Sequence, residues 1–131
     1  MDELLSRLVA IKETAKDIHY KANGESFYGI HLLMDRVADG IEDQIDSIKE
    51  VCFLGANMLP PKTADIFKKA LELIPSSDNW RANLAVLQTL ILDTLLYIEG
   101  VEVDTADANL VGTIAESLKL KLGLISRTVA K

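Results

Sequence analysis

Both histidines of the chain, His19 and His31, lie shortly before a row of carboxylates. Imidazole nitrogens and carboxylate oxygens are the donors with which proteins bind iron, zinc and manganese. The spacing therefore indicates a metal site, and the alternative is an acidic, solvated helix surface beside two unrelated histidines. The carboxylates are Asp35, Asp39, Glu42, Asp43, Asp46 and Glu50.

Helical spacing divides the candidate ligands into two pairs. Asp35 follows His31 by one turn and Glu50 follows Asp46 by one turn, and at ~100° per residue all four share one stripe of a continuous helix. Asp35 and Asp46 are nevertheless roughly 16 Å apart along the axis at ~1.5 Å per residue, far beyond a metal–ligand bond of about 2 Å. One chain thus offers two half-sites. An antiparallel copy related by a two-fold axis would join each half to its complement.

The elements that must position these residues are helices, and no strand pattern competes with them. Apolar residues recur every three or four positions, Asn23-Gly24 marks a turn, and Gly55 ends the second helix. If the first and second helices pack as a hairpin, His19 lies over the end of the second helix that contains His31. The long helices are predicted from about Asp2 to Ala22, from Phe27 to about Leu54, from Asp78 or Asn79 to Glu99 or Gly100, and from Asp104 or Thr105 almost to Lys131.

The connection between the second and third long helices exceeds twenty residues and contains a short amphipathic helix between Pro60-Pro61 and Pro75. A crossover of that length lets the third helix run parallel to the second, as in ferritin-like bundles. We therefore predict an all-α, ferritin-like four-helix bundle, with a short helix in the crossover and a single domain over 1–131.

Composition favours a helical protein with an aliphatic core and argues against a nucleic-acid-binding or membrane protein. Hydrophobic residues make up 49 % and aromatic residues 5 %, which favours an aliphatic helical core, and the formal net charge of −6 argues against nucleic acid as a partner. Cys52 is the only cysteine, so no intrachain disulfide can form. No secretory signal is evident, and the apolar stretch "LAVLQTLILDTLLYI" is interrupted by polar residues. We expect a cytoplasmic protein without a membrane span.

The five positions His19, His31, Asp35, Asp46 and Glu50 resemble the ferroxidase signature of the Dps family, the mini-ferritins. The segment "HYKANGESF" looks like the family's His-Trp-x-x-x-Gly-x-x-Phe, with Gly24 and Phe27 in register, although Tyr20 stands where the family usually has Trp. Asp104-Thr105-Ala106-Asp107 resembles the family's Thr-Ala-Asp segment. The predicted helices fit the family over nearly the whole chain.

The resemblance implies a shell of twelve subunits that oxidises Fe(II), often with hydrogen peroxide, and stores ferric mineral. It implies iron sites between subunits, with His19, His31 and Asp35 from one chain and Asp46 and Glu50 from its two-fold mate. The bound metal is then iron, and the partners are further copies of the same chain. No Lys-rich tail of the kind that many family members use for DNA is evident, so DNA is not an expected partner.

Other interpretations stay open from the sequence. The first is a non-enzymatic ferritin-like assembly, or a module that binds Zn(II) structurally. A third interpretation is a plain helical scaffold that binds a protein partner. Glu102, Asp104 and Asp107 would line an acidic pore by family resemblance, and helix capping by Asp104 explains that residue equally well.

Overall fold

The computed structural model describes residues 1–130, and these residues form α-helices without any β-strand. The all-α class predicted from the sequence is confirmed. A π-helical turn, Lys49–Phe53, and a 3-10 turn, Leu54–Ala56, extend the third helix. The α-helices are α1 (Asp2–Lys21), α2 (Phe27–Ala38), α3 (Ile41–Ile48), α4 (Thr63–Leu71), α5 (Trp80–Gly100) and α6 (Thr105–Val129).

The first helix is the centre of the packing. It contacts α2, α3, α4 and α5, while α6 packs on α5 and also contacts α2 and α3. Its apolar side chains recur every three or four residues and are buried, so one helix face supplies much of the core. The largest fully buried side chains of the core are Leu4, Leu5, Leu8, Ile11, Ile18, Met34, Ile41, Ile48, Leu87, Ile91, Ile114 and Leu118.

The predicted starts of the last two long helices are confirmed by their caps. The Asn79 side chain accepts a hydrogen bond from the Ala82 amide at 3.1 Å and so satisfies one free donor of α5. The Asp104 side chain does the same for the Asp107 amide of α6 at 2.9 Å. The short helix predicted in the crossover is α4.

Helix α5 is long and apolar enough to cross a membrane by length and composition alone. In the structure it packs against α1 and α6, and Leu87 and Ile91 are fully buried. Its polar residues Asn83 and Thr94 are buried as well, and each donates a hydrogen bond to a backbone carbonyl. One face of α5 therefore lies in the core, whereas Leu92 and Leu96 on the same helix are exposed.

The prediction of one continuous helix from Phe27 to about Leu54 is wrong. Asp39 is extended, with φ −61° and ψ 136°, and Gly40 adopts a left-handed conformation with φ 79°, so α2 ends at Ala38 and α3 begins at Ile41. Only glycine adopts such a φ without strain. The prediction that His31, Asp35, Asp46 and Glu50 share one stripe required an unbroken α-helix. The break at Asp39-Gly40 and the wider π turn both change the direction in which the later side chains point, relative to His31. Helical turns continue past Gly55 to Ala56.

Candidate metal centre

The two histidines meet at the corner between α1 and α2. A short turn joins the helices, and Gly24 with φ 88° supplies the left-handed residue that the turn requires. Trp80, only 7 % exposed, packs at this corner, and its indole Nε1–H donates to the Asn23 side chain at 3.4 Å. The corner is thus fixed by the start of α5 as well as by the hairpin itself.

Each imidazole is hydrogen-bonded to the backbone of the other histidine. Nδ1 of His19 lies 2.7 Å from the His31 carbonyl oxygen, and Nδ1 of His31 lies 2.9 Å from the His19 carbonyl oxygen. The rings stack with centroids 3.7 Å apart and planes 15° from parallel. The prediction that a hairpin of the first two helices brings His19 to His31 is confirmed.

This reciprocal arrangement assigns the proton on each ring. A carbonyl oxygen only accepts hydrogen bonds, so Nδ1 must carry the hydrogen on both rings. In the neutral imidazole Nε2 is then the nitrogen with a free lone pair. A metal-binding histidine characteristically donates its other N–H to a carbonyl or carboxylate, which fixes the ring and its tautomer. Both histidines therefore have the hydrogen bonding of Nε2 metal ligands.

Apolar and aromatic side chains surround the histidine pair. The Phe27 ring lies 5.1 Å from the His31 ring, and the Tyr20 ring packs edge-on to His19 at 5.0 Å. Tyr20 is 72 % exposed, and Leu32, next to His31, is 50 % exposed. Exposed aromatic and aliphatic surface therefore borders the histidine pair.

Asp35 lies on α2 one turn beyond His31, as the spacing predicts, and is exposed. Its carboxylate forms an ion pair with Lys16 of α1, with Nζ and Oδ1 3.5 Å apart. The ligand spacing alone does not predict this pairing. Lys16 stands three residues before His19, one turn back on the same helix, and a basic residue at that position was the available signal.

Asp46 lies on α3 and Glu50 in the π-helical turn that follows, and both are exposed. They are separated from His31 and Asp35 by the break at Gly40. Within residues 1–130, no three His, Cys, Asp or Glu side chains converge closely enough to hold a metal ion. The structure of one chain therefore brings together His19 and His31, and leaves the predicted carboxylate ligands outside that pair.

The other acidic residues of this region line a cleft of about 360 Å³ between α1 and the α2–α3 break, which they share with two lysines. Burial opposes the charge of Lys12, but its hydrogen bond and charge interaction with Glu42 outweigh this and raise its pKa. The cleft is thus partly neutralised. It is lined by Lys12, Lys16, Asp35, Ala38, Asp39, Gly40, Glu42 and Asp43.

A second cleft, of about 440 Å³, includes Glu50 together with Asp104 and Asp107 at the start of α6. Cys52, 7 % exposed, lies beside it. Burial in the first place, and the Asp107 carboxylate in the second, raise the pKa of the Cys52 thiol to about 11. The thiol is protonated near neutral pH and so behaves as a small packed side chain rather than as a metal ligand.

Comparison with known proteins adds no relative: no family model, no curated protein and no solved structure matches this chain.

Proposed function

We propose that the chain is an iron-oxidising and iron-storing protein of the Dps type. In this proposal α1, the α2–α3 unit, α5 and α6 are the four long helices of a ferritin-like bundle, and α4 is the short helix of the crossover. Twelve copies form the shell, and ferroxidase sites lie between two-fold mates. The resemblance of the five ligand positions to the family signature is the origin of the proposal.

The single observation that carries it is the reciprocal hydrogen bonding of His19 and His31. Apart from satisfying the free carbonyl of His19 at the end of α1, these bonds hold both rings with their Nε2 atoms free as acceptors. Such an arrangement orients the rings before a metal arrives, which lowers the reorganisation that binding requires. It also distinguishes this pair from a merely solvated acidic face.

A second copy supplies what the histidine half lacks. Exposed apolar residues border both halves of the proposed site: Tyr20 and Leu32 beside the histidines, and Val51 and Leu54 beside Glu50. Leu54 is 72 % exposed. In an antiparallel dimer the apolar residues beside the histidines of one copy would pack against those beside Glu50 of the other. The two-fold axis repeats this contact, so both apolar regions of each copy would be covered. Asp46 and Glu50 of the mate would then face the imidazoles.

The donor set suits iron in both oxidation states. Imidazole binds Fe(II) well, whereas carboxylate oxygens favour the harder Fe(III) that oxidation produces. With peroxide as oxidant, two Fe(II) each lose one electron, the O–O bond breaks, and two protons are taken up to give two waters. The histidines orient the reduced ion, and the carboxylates offset the extra charge of the product.

The test is Fe(II) oxidation by peroxide in the wild type and in the His31→Ala/Asp35→Ala variant. We expect rapid oxidation and a soluble ferric particle in the first, and loss of the rapid phase in the second. Glu72→Ala/Glu116→Ala removes two exposed acids outside the site and serves as the matched control. Equal oxidation rates in all three proteins would reject the site.

Particle size and metal content distinguish the alternatives. Light scattering should give about 170 kDa for twelve chains of 14.4 kDa each. A particle of that size that contains Zn(II) and does not oxidise iron would instead identify a structural metal-binding assembly. A monomer without metal uptake would remove the proposal.

A further inference from the structure

Lys121 is the one charged side chain among residues 1–130 that is buried, at 6 % exposure. It lies on α6 between Leu118 and Ile125, which are both fully buried. Removing an ammonium from water is costly, so a buried lysine needs a compensating partner. Burial lowers the pKa of this lysine, and the Asp39 carboxylate opposes that effect.

The partner of Lys121 lies in the helix break. Its Nζ donates to the backbone carbonyl of Asp39 at 2.9 Å, across 82 positions of sequence. In an unbroken helix this carbonyl would accept from the amide of Asp43. The lysine therefore replaces a helical hydrogen bond at the point where the chain turns, next to the left-handed Gly40.

The break also separates the two halves of the proposed metal site. His31 lies on α2 before it, whereas Asp46 lies on α3 and Glu50 just after α3. From Ile41 to Glu50 the chain advances about 14 Å at ~1.5 Å per residue, so a swing of about 10° at the break moves Glu50 by roughly 2 Å. Metal coordination tolerates only about 0.2 Å.

We propose that Lys121 is a positioning residue: by holding the Asp39 carbonyl it fixes the angle between α2 and α3, and with it the placement of Asp46 and Glu50 relative to the histidine pair. The inference rests on the proposed inter-subunit metal site. It adds to that function a residue that binds no metal and lies on a helix that supplies no ligand.

Co(II) is the probe, because its visible absorption reports the ligands and their geometry. Lys121→Met keeps the length of the side chain and removes the charge, and exposed Lys119→Met on the same helix is the matched control. We expect the Kd for Co(II) to rise at least tenfold in Lys121→Met and less than twofold in Lys119→Met. Equal values in both variants overturn the positioning role.

A double-mutant cycle separates positioning from general damage. In an Asp46→Ala/Glu50→Ala background the metal is held by the histidine half alone, so the angle of α3 no longer matters. Lys121→Met should then leave the Kd unchanged, whereas a general loosening of the fold would weaken binding in both backgrounds. If wild type does not bind Co(II), or if Asp46→Ala/Glu50→Ala binds as well as wild type, the proposed function fails instead.

A distance measurement tests the angle without any metal. Spin labels at Tyr28→Cys on α2 and Asp43→Cys on α3, in a Cys52→Ala background, report the separation of two exposed positions across the break. Lys121→Met should broaden or shift that distance, and an unchanged narrow distribution contradicts the inference. If Lys121→Met does not fold, Lys121→Gln, whose shorter side chain cannot reach the Asp39 carbonyl, must shift the same distance and raise the same Kd, and no change in either overturns the role.

Discussion

Replacing each histidine of the pair by alanine should cost different amounts of stability, although the two side chains make the same kind of hydrogen bond. The His19 carbonyl belongs to the last turn of α1, where backbone acceptors have no helical partner, and the His31 imidazole satisfies it. The His31 carbonyl lies inside α2, where a helical amide is already available to it. His31→Ala therefore leaves an unpaired acceptor, and His19→Ala does not.

The expected magnitudes follow from these contacts. Each substitution removes one hydrogen bond, worth about 1 kcal/mol net, and one stacking contact, worth about 1 kcal/mol. The better helix propensity of alanine returns about 0.5 kcal/mol. His19→Ala should thus cost about 1.5 kcal/mol. His31→Ala should cost about 2.5 kcal/mol, because the unpaired and half-buried carbonyl adds about 1 kcal/mol.

Urea unfolding followed by the fluorescence of Trp80 measures both values, since the single tryptophan lies at this corner. With a slope of about 2 kcal/mol per molar urea, the midpoints should fall by about 0.7 M for His19→Ala and about 1.2 M for His31→Ala. Protein concentration is held constant and a chelator is present, because association and bound metal both add apparent stability.

Equal shifts in the two variants, or losses below about 0.5 kcal/mol in both, would refute the reasoning that each ring holds the other's carbonyl. A second readout uses the metal: at a concentration of 100 Kd, Co(II) should stabilise the wild type by about 2.7 kcal/mol. Both single variants should lose nearly all of that gain.

Two further predictions concern charge. Lys16→Met removes the ammonium 3.5 Å from Asp35, so the affinity for Co(II) should rise several-fold at low salt and the gain should vanish in 1 M NaCl; an unchanged Kd at low salt would contradict it. Folding raises the pKa of Cys52 from 9.0 to about 11, so the unfolded thiol ionises first and stability should fall between pH 9 and 11. Alkylation of the folded protein should keep accelerating up to about pH 11, and a plateau near pH 9 would refute the shift.

The helical periodicity predicted most of the fold because the same residues that form the pattern form the core. The starts of α5 and α6 were also predictable, since Asn79 and Asp104 are capping residues whose side chains do cap. The break was missed for a physical reason: Met34, Val37 and Ile41 keep helical spacing through it, as both segments bury side chains in one core. The dipeptide Asp39-Gly40 was the turn signal that this pattern obscured.

The site was less predictable than the fold. Spacing along one helix relates His31 to Asp35, but the approach of α1 to α2 decides what these side chains contact. The pairing of Asp35 with Lys16 and the reciprocal bonds of the histidines depend on that approach, and periodicity does not encode it. Sequence therefore identified the two histidines as a pair without identifying what holds them.

If the proposed metal site forms, the fixed imidazoles also determine which cations it would favour. Magnesium and calcium take oxygen ligands almost exclusively, and magnesium gives up its water reluctantly. Two nitrogen donors that are already fixed by His19 and His31 offer such ions little, however abundant they are. Borderline ions such as Fe(II), Co(II) and Zn(II) gain most from the same pair. In the proposed metal site, selectivity between cations would therefore be set when the hairpin of α1 and α2 folds, before a second copy binds.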